Sequence, residues 1–230
     1  MGGRFLGIFF LGLLTITVVI NGTLLHSDKA VKKVPTTHKV VSLTFDDGPH
    51  PRTTMTLLAV LNNKNVHATF FLLGSSVEKN PDLAMAIIAS GHEIASHSYN
   101  HRFLSKLSKE EFNSEIDKAE KAFSAVASKP SFIRPPGGGY NDRIVGDLYK
   151  RGYTTILWSI DPRDWDNKNA AQIVDGVLSK IEPGAIILLH EGDCATSTPE
   201  AVGIIIDRLR QMGYDIVTVG ELLQYYEMRP

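Results

Sequence analysis

Short apolar runs alternate with helical stretches about seven times along residues 40–222, and this alternation constrains the fold more than any other feature of the chain. Runs that are apolar throughout are typical of strands buried on both faces, and strands joined by helices favour a parallel sheet. We therefore predict an α/β fold, a distorted or incomplete (β/α) barrel of about seven repeats. The predicted strands are Val40–Phe45, Ala68–Leu73, Glu93–Ser96, Phe132–Ile133, Thr154–Trp158, Ala185–Leu189 and Asp215–Thr218.

The first 27 residues differ from this pattern. Arg4 precedes an uncharged and mostly apolar run from Phe5 to Ile20, whose length lies between that of a signal-peptide core and that of a membrane span. We expect residues 1–27 to be a signal peptide or a signal anchor, so that a membrane segment precedes the barrel; a buried core helix is the remaining alternative. The polar residues 28–38 are expected to form a linker, and residues 39–230 the globular domain.

Charge and cysteine content narrow the classes of partner. The chain holds 24 Lys and Arg against 25 Asp and Glu, a formal net charge of −1 that gives no sign of nucleic-acid binding. The single cysteine, Cys194, excludes an intrachain disulfide. Nothing in the sequence implies a protein partner.

Ionisable side chains follow five of the predicted strands directly. These residues are Asp46 and Asp47, His97 and His101, Arg134, Asp161 and Asp164 with Trp165, and His190 with Glu191. In (β/α) barrels, the reactive side chains lie at the carboxyl ends of the strands. The sequence therefore predicts one polar site on that rim of the barrel.

Asp47, His97 and His101 are candidate metal ligands, because two imidazoles and one carboxylate are a common set for catalytic zinc. By itself the histidine pair is more often surface polarity, and Asp-Asp-Gly-Pro is more often a simple turn. However, Asp46 and Asp47 cannot easily both ionise in one cleft without a cation. We expect one divalent ion, with Zn²⁺ favoured and Co²⁺, Mn²⁺, Ni²⁺ or Fe²⁺ as alternatives.

Five ordered motifs resemble those of the polysaccharide deacetylase family, the NodB-homology domains of carbohydrate esterase family 4. The resemblance covers about residues 40–222. The motifs are TFDDGP at Thr44–Pro49, H-S-x-x-H at His97–His101, R-x-P at Arg134–Pro136 with Asn141, D-x-x-D-W at Asp161–Trp165, and Leu-His at Leu189–His190. The resemblance implies a distorted (β/α) barrel and makes residues 39–230 the catalytic domain.

The same resemblance implies a role for each matching residue. Asp46 would be the general base, His190 the general acid, Arg134 the partner that orients Asp46, and Asp164 a support for the network around Arg134 and His190. Asp47, His97 and His101 would hold the metal, Trp165 would wall the cleft, and Leu189 would form part of the pocket for the acetyl methyl group.

The chain departs from the family pattern at two positions. The family commonly has an aromatic residue where Gly137 stands, and often an aspartate where Glu191 stands. Glycine keeps the backbone N–H that is the expected oxyanion donor, but it removes a side chain from the cleft. We expect Tyr140 to replace that side chain.

The resemblance implies an enzyme that hydrolyses N-acetyl groups of an extracytoplasmic amino-sugar polymer and releases acetate. It would act while anchored to the membrane or secreted, in a bacterial cell envelope, and its first accessible polymer there would be peptidoglycan. Chitin oligomers and exopolysaccharides are alternative substrates. A weakly active or non-catalytic wall-binding protein and a hydrolase of small cyclic amides or ureides are the alternative functions.

Overall fold

A computed structural model describes residues 29–227 of the chain. Its strands are β1 Val40–Asp46, β2 Thr69–Leu72, β3 Glu93–Ser96, β4 Phe132–Ile133, β5 Thr154–Thr155, β6 Ile186–His190 and β7 Asp215–Ile216. Its α-helices are α1 Thr54–Asn63, α2 Gly74–Lys79, α3 Pro81–Ala89, α4 Lys109–Ser124, α5 Asp142–Lys150, α6 Ala170–Leu178, α7 Thr198–Gln211 and α8 Val219–Leu222. Short 3₁₀ turns lie at Leu104–Lys106, Pro136–Gly138 and Leu223–Tyr225.

The seven strands form one parallel sheet in the order β5-β4-β3-β2-β1-β6, with β7 beside the start of β1. Among residues 29–227, no ladder joins the end strands β5 and β6. Isolated bridges occur there instead, from Ile160 to Ile187 and from Val31 to Ile156. The predicted α/β fold with an incomplete parallel barrel is therefore confirmed.

Side chains alternate between the two buried faces of β1. Leu43 and Phe45 pack in the large cluster beneath α1 and α7. Val40 packs in a second cluster with Phe71 of β2, inside the curved sheet. Because successive strand residues point to opposite faces, Asp46 also points inward, at the carboxyl end of the strand. Burial of both faces explains why the run is apolar throughout.

The longest helix among residues 29–227, α4, begins at a capping box formed by Ser108 and Glu111. Ser108 accepts a hydrogen bond from the backbone N–H of Glu111, and the Glu111 side chain accepts one from the backbone N–H of Ser108. This capping box satisfies two backbone donors that a helix start leaves free. Phe112 and Ile116 of α4 then pack in a third cluster, with Ile133 of β4 and Leu148 of α5.

Part of the segment expected to be a linker packs against the barrel. Val31 and Val34 are buried. The Val31 backbone N–H donates to Thr155, and that of Val34 donates to Gly184. The expected membrane segment at residues 1–27 lies outside the described residues. Across residues 29–227, none of the helices combines the length and the apolar character that a bilayer crossing requires.

Candidate active site

A cavity of about 510 Å³ opens at the carboxyl ends of the strands. Parallel pairing places Asp46 of β1 beside His190 of β6, and His97 follows the last residue of β3. The cavity is lined by Asp46, Asp47, His97, His101, Phe103, Gly137, Trp158, Asp161, Trp165, Leu188 and His190. The predicted clustering of ionisable groups on this rim is thus present in the fold.

Asp46 and Arg134 form a buried ion pair. The Arg134 Nη1 donates to Asp46 Oδ1 at 2.6 Å and to Thr44 Oγ1 at 2.9 Å, and Nη2 donates to the Leu157 carbonyl at 3.0 Å. The guanidinium carbon also lies 3.9 Å from the centre of the Phe71 ring. These contacts fix the Asp46 carboxylate and leave its Oδ2 facing His97, 3.6 Å from Nε2.

Burial and the Arg134 guanidinium shift the pKa of Asp46 in opposite directions. Burial raises the pKa of Asp46 above its ordinary value, whereas the charge and hydrogen bond of Arg134 work to lower it. Burial likewise lowers the pKa of Arg134, and the Asp46 carboxylate opposes that effect. Each charge therefore depends on the other for its stability, because both side chains are buried.

Asp47, His97 and His101 bring one ligand atom each to within 4.8 Å of one another. The Asp47 Oδ1 lies 3.6 Å from His97 Nε2 and 3.5 Å from His101 Nε2. Ligand atoms of a tetrahedral zinc ion with bonds of about 2.0–2.2 Å are roughly 3.3–3.6 Å apart. These separations fit a single small divalent ion.

Two further observations fit a metal at these residues. The Asp47 Oδ1 is buried and has no hydrogen-bond partner within the described chain. The φ angles of Asp47 and His101 are 74° and 59°, in the left-handed region that costs energy for residues other than glycine. Such strain is often found at functional sites, and here it turns both side chains toward one point.

A hydrogen bond at Nδ1 sets the tautomer of His97. Its Nδ1 donates to the Arg134 carbonyl oxygen at 2.8 Å, so Nε2 carries the lone pair and faces Asp47. Burial lowers the pKa of His97 to about 3, although the charge of Asp47 acts to raise it. A neutral imidazole held by a backbone carbonyl is the form that binds metals.

His190 is held by a second buried carboxylate. The Asp164 Oδ1 accepts from His190 Nδ1 at 2.8 Å, while Oδ2 accepts from the His190 backbone N–H at 2.8 Å and from Thr198 Oγ1 at 2.7 Å. Burial acts to lower the pKa of His190, but the hydrogen bond and charge of Asp164 outweigh it and raise the pKa. The Nε2 of His190 remains available to the cavity.

Glu191 lies beneath the turn that carries Asp47, a position the strand-end pattern alone does not reveal. Its backbone N–H donates to the Asp46 carbonyl, and its carboxyl group accepts from Thr54. A Cβ at Gly48 would lie 1.8 Å from Glu191 Oε1, so a larger residue there would force the Glu191 side chain to move. Burial raises the pKa of Glu191 to about 8. Glu191 thus supports the turn.

The apolar walls of the cavity come from several loops. Gly137 and Trp165 line it, where the sequence predicts them. Phe103, Trp158 and Leu188 also line it, and sequence reasoning missed all three. Phe103 and Trp158 come from different loops that no local sequence pattern brings together, whereas strand alternation places Leu188 on the same face of β6 as His190.

Two expected cleft residues lie elsewhere. Leu189 is fully buried in the cluster beneath α1 and α7, on the opposite face of β6 from His190. Adjacent strand residues point to opposite faces, so Leu188 occupies the cavity side instead. Tyr140 is 37% exposed and lies 5.9 Å below Lys32 Nζ, outside the cavity lining.

Comparison with known sequences points to one family. A sequence model described as polysaccharide deacetylase matches residues 33–156. A peptidoglycan-N-acetylglucosamine deacetylase of Bacillus cereus is 39% identical over 84% of this chain and 92% of its own length. One from Listeria monocytogenes is 38% identical over 88% of this chain but 43% of its own length. A chitooligosaccharide deacetylase of Bradyrhizobium is 37% identical over 79% of the chain and 90% of its own length.

Solved structures agree with the sequence comparison. The crystal structure of a peptidoglycan N-acetylglucosamine deacetylase superposes with a TM-score of 0.82 at 33% identity, over 87% of this chain and 95% of the other. A pseudoenzyme of carbohydrate esterase family 4 from Bacillus anthracis also superposes with a TM-score of 0.82, at 30% identity, over 88% of this chain and 71% of the other.

Proposed function

We propose that this chain, which belongs to the polysaccharide deacetylase family, removes N-acetyl groups from the amino sugars of peptidoglycan and releases acetate. As a member of this family, it is a hydrolase of carbon–nitrogen bonds other than peptide bonds.

One observation carries the proposal: a carboxylate, a candidate metal set and a carboxylate-held histidine line the same cavity. Asp46, the set formed by Asp47, His97 and His101, and His190 all lie at that rim. Hydrolysis of an amide needs an activated water, a proton acceptor and a proton donor for the amine. Within this cleft, the candidate metal set would activate the water, Asp46 would accept the proton, and His190 would donate one to the amine.

Asp47, His97 and His101 would hold the divalent ion, with zinc favoured by the two imidazole nitrogens and one carboxylate oxygen. When bound, such an ion supplies a Lewis acid that acidifies water and polarises a carbonyl oxygen. The chain contributes the orientation of the ligands, because His97 is anchored through Nδ1 to the Arg134 carbonyl.

Asp46 would act as the general base. Its Oδ1 is occupied by Arg134, and its Oδ2 faces the candidate metal ligands, where an attacking water would lie. Arg134 would keep the carboxylate ionised and fixed in direction until it accepts the proton from that water. Arg134 is therefore a positioning residue, buried beneath the reacting groups.

His190 would protonate the departing amine. Asp164 holds its ring through Nδ1, which leaves Nε2 directed to the cavity as the donor. The backbone N–H of Gly137 is a candidate donor to the developing oxyanion. Gly138 and Gly139 donate their N–H groups to Pro135 and Pro136, whereas the turn bonds of the described chain leave that of Gly137 free.

The substrate assignment rests on relatives named for peptidoglycan N-acetylglucosamine. Chitin oligomers are the second candidate, supported by similarity to a chitooligosaccharide deacetylase, and an exopolysaccharide is the third. A weakly active or non-catalytic wall-binding role is favoured by the structural match to a pseudoenzyme. Against that role, all the proposed reacting groups are present and mutually oriented in this chain.

We place the activity outside the cytoplasmic membrane, since peptidoglycan is assembled into the wall there. Residues 1–27 would export the domain and anchor it, or be cleaved after export. Residues 39–230, together with the packed segment that holds Val31 and Val34, would form the catalytic domain. The membrane would then be a partner only through the N-terminal segment.

The direct test compares cell walls from matched strains that carry the gene, lack it, or carry it as Asp46→Asn. Walls are digested to muropeptides, and mass spectrometry measures the acetylation of each sugar. The proposal expects deacetylated glucosamine or muramic acid in the first strain and its loss in the other two. Equal acetylation in all three, with the protein present, would exclude peptidoglycan as the substrate.

A further inference from the structure

Phe103 stands on the cavity wall in the loop that follows the candidate metal ligand His101. Its side chain lines the cavity and is 46% exposed, whereas Leu104 next to it is fully buried. The loop is thus anchored by Leu104 and Leu107 in the cluster beneath α4 and α5. The buried neighbours therefore fix the backbone that carries the exposed Phe103 ring. Exposure inside a cavity indicates a binding role, whereas a single exposed aromatic residue on open surface is common and indicates none.

The backbone of Gly137 makes room for this ring. Its φ is 61°, and a Cβ added there would lie 2.5 Å from Phe103 Cε1. Lys106 Nζ lies 5.1 Å from the ring centre, and the His101 ring centre lies 6.4 Å away. The Phe103 ring therefore fills the space that a side chain at Gly137 would enter.

From this packing we propose that Phe103 is a substrate-positioning residue, whose ring packs against the pyranose ring of an N-acetylated sugar. The inference rests on the proposed function. Amino-sugar rings present apolar C–H groups beside polar hydroxyls, and aromatic rings supply a rigid apolar surface for them. Trp158 and Trp165 line the same cavity from other loops, so the sugar meets several aromatic walls.

The test measures binding and turnover separately. Binding of the N-acetylglucosamine pentamer is followed by calorimetry in a metal-loaded Asp46→Asn background, where turnover is suppressed. Phe103→Ala should weaken binding about ten-fold, Phe103→Leu by less, and Phe103→Tyr little, because the apolar area removed differs. Tyr226→Ala is the matched control, an aromatic residue 37% exposed and outside the cavity.

A second variant tests the contact itself. Gly137→Ala should displace the Phe103 ring and raise the KM for the pentamer, and this rise should be smaller when Phe103 is already alanine, because only the strain of a side chain at a φ of 61° then remains. Additive effects on KM would overturn the inference, as would unchanged pentamer binding in Phe103→Ala or equal weakening in Tyr226→Ala. If the wild type binds the pentamer through Phe103 yet releases no acetate, the proposed function fails while the inference stands.

Discussion

The Asp46–Arg134 pair should dominate the stability of the site. Both side chains are almost completely buried, and their 2.6 Å contact is not screened by solvent. Asp46→Asn retains an oxygen that can accept from Nη1 but removes the negative charge that is paired with Arg134. Breaking a buried pair in this way costs about 3 kcal/mol. For a domain of this size, that corresponds to a fall in Tm of roughly 6–12 °C.

Urea denaturation in the presence of chelator, which removes any contribution of bound metal, measures this free energy of unfolding. Arg134→Met should cost a similar amount, because it leaves the Asp46 carboxylate buried and unpaired. The double variant should be about 2–3 kcal/mol more stable than the sum of the single effects predicts. If the losses of unfolding free energy in the two single variants simply added in the double variant, the broken Asp46–Arg134 pair would not be the cause of those losses.

Three further predictions concern the chemistry. The purified domain should hold about one divalent ion per chain, and His97→Ala should lose that ion more completely than His101→Ala, because His97 is buried and anchored by Arg134; metal analysis after dialysis measures both. Asp164→Asn should move the high-pH limb of the kcat/KM profile to lower pH, because the protonated form of His190 is required and loss of the Asp164 charge leaves burial to lower its pKa. If the high-pH limb of the profile did not move, Asp164 would have no influence on the group that donates the proton. His190→Ala should reduce hydrolysis of an N-acetyl sugar far more than that of an acetyl ester, whose leaving alcohol needs less protonation; an equal loss on both substrates would assign the proton to another group.

Much of the fold could be predicted because its strands are buried on both faces. Such strands are continuous apolar runs, and the helices between them force parallel pairing. The pattern could not locate the gap between β5 and β6, since bridges such as Ile160–Ile187 depend on long-range curvature of the sheet. It also could not show that Val31 and Val34, in a polar stretch, complete the interior packing.

Some residues of the site could likewise be predicted from the sequence, and others could not. Side chains at strand ends converge whenever the sheet is parallel, so Asp46, His97 and His190 could be grouped from the sequence. Strand alternation alone indicates Leu188, not Leu189, as the cavity residue, because His190 faces inward. Phe103 could not be found this way, since its contact with Gly137 joins two irregular loops.

Asp46 is assigned as the general base and Asp47 as a metal ligand, and one paired measurement tests this assignment most directly. Metal content and acetate release from an N-acetylglucosamine oligomer are determined for the wild type, Asp46→Asn and Asp47→Asn. We predict that Asp46→Asn keeps about one ion per chain while its rate falls about 10²–10⁴-fold, and that Asp47→Asn loses the ion. Loss of the ion in Asp46→Asn with its retention in Asp47→Asn would contradict the account.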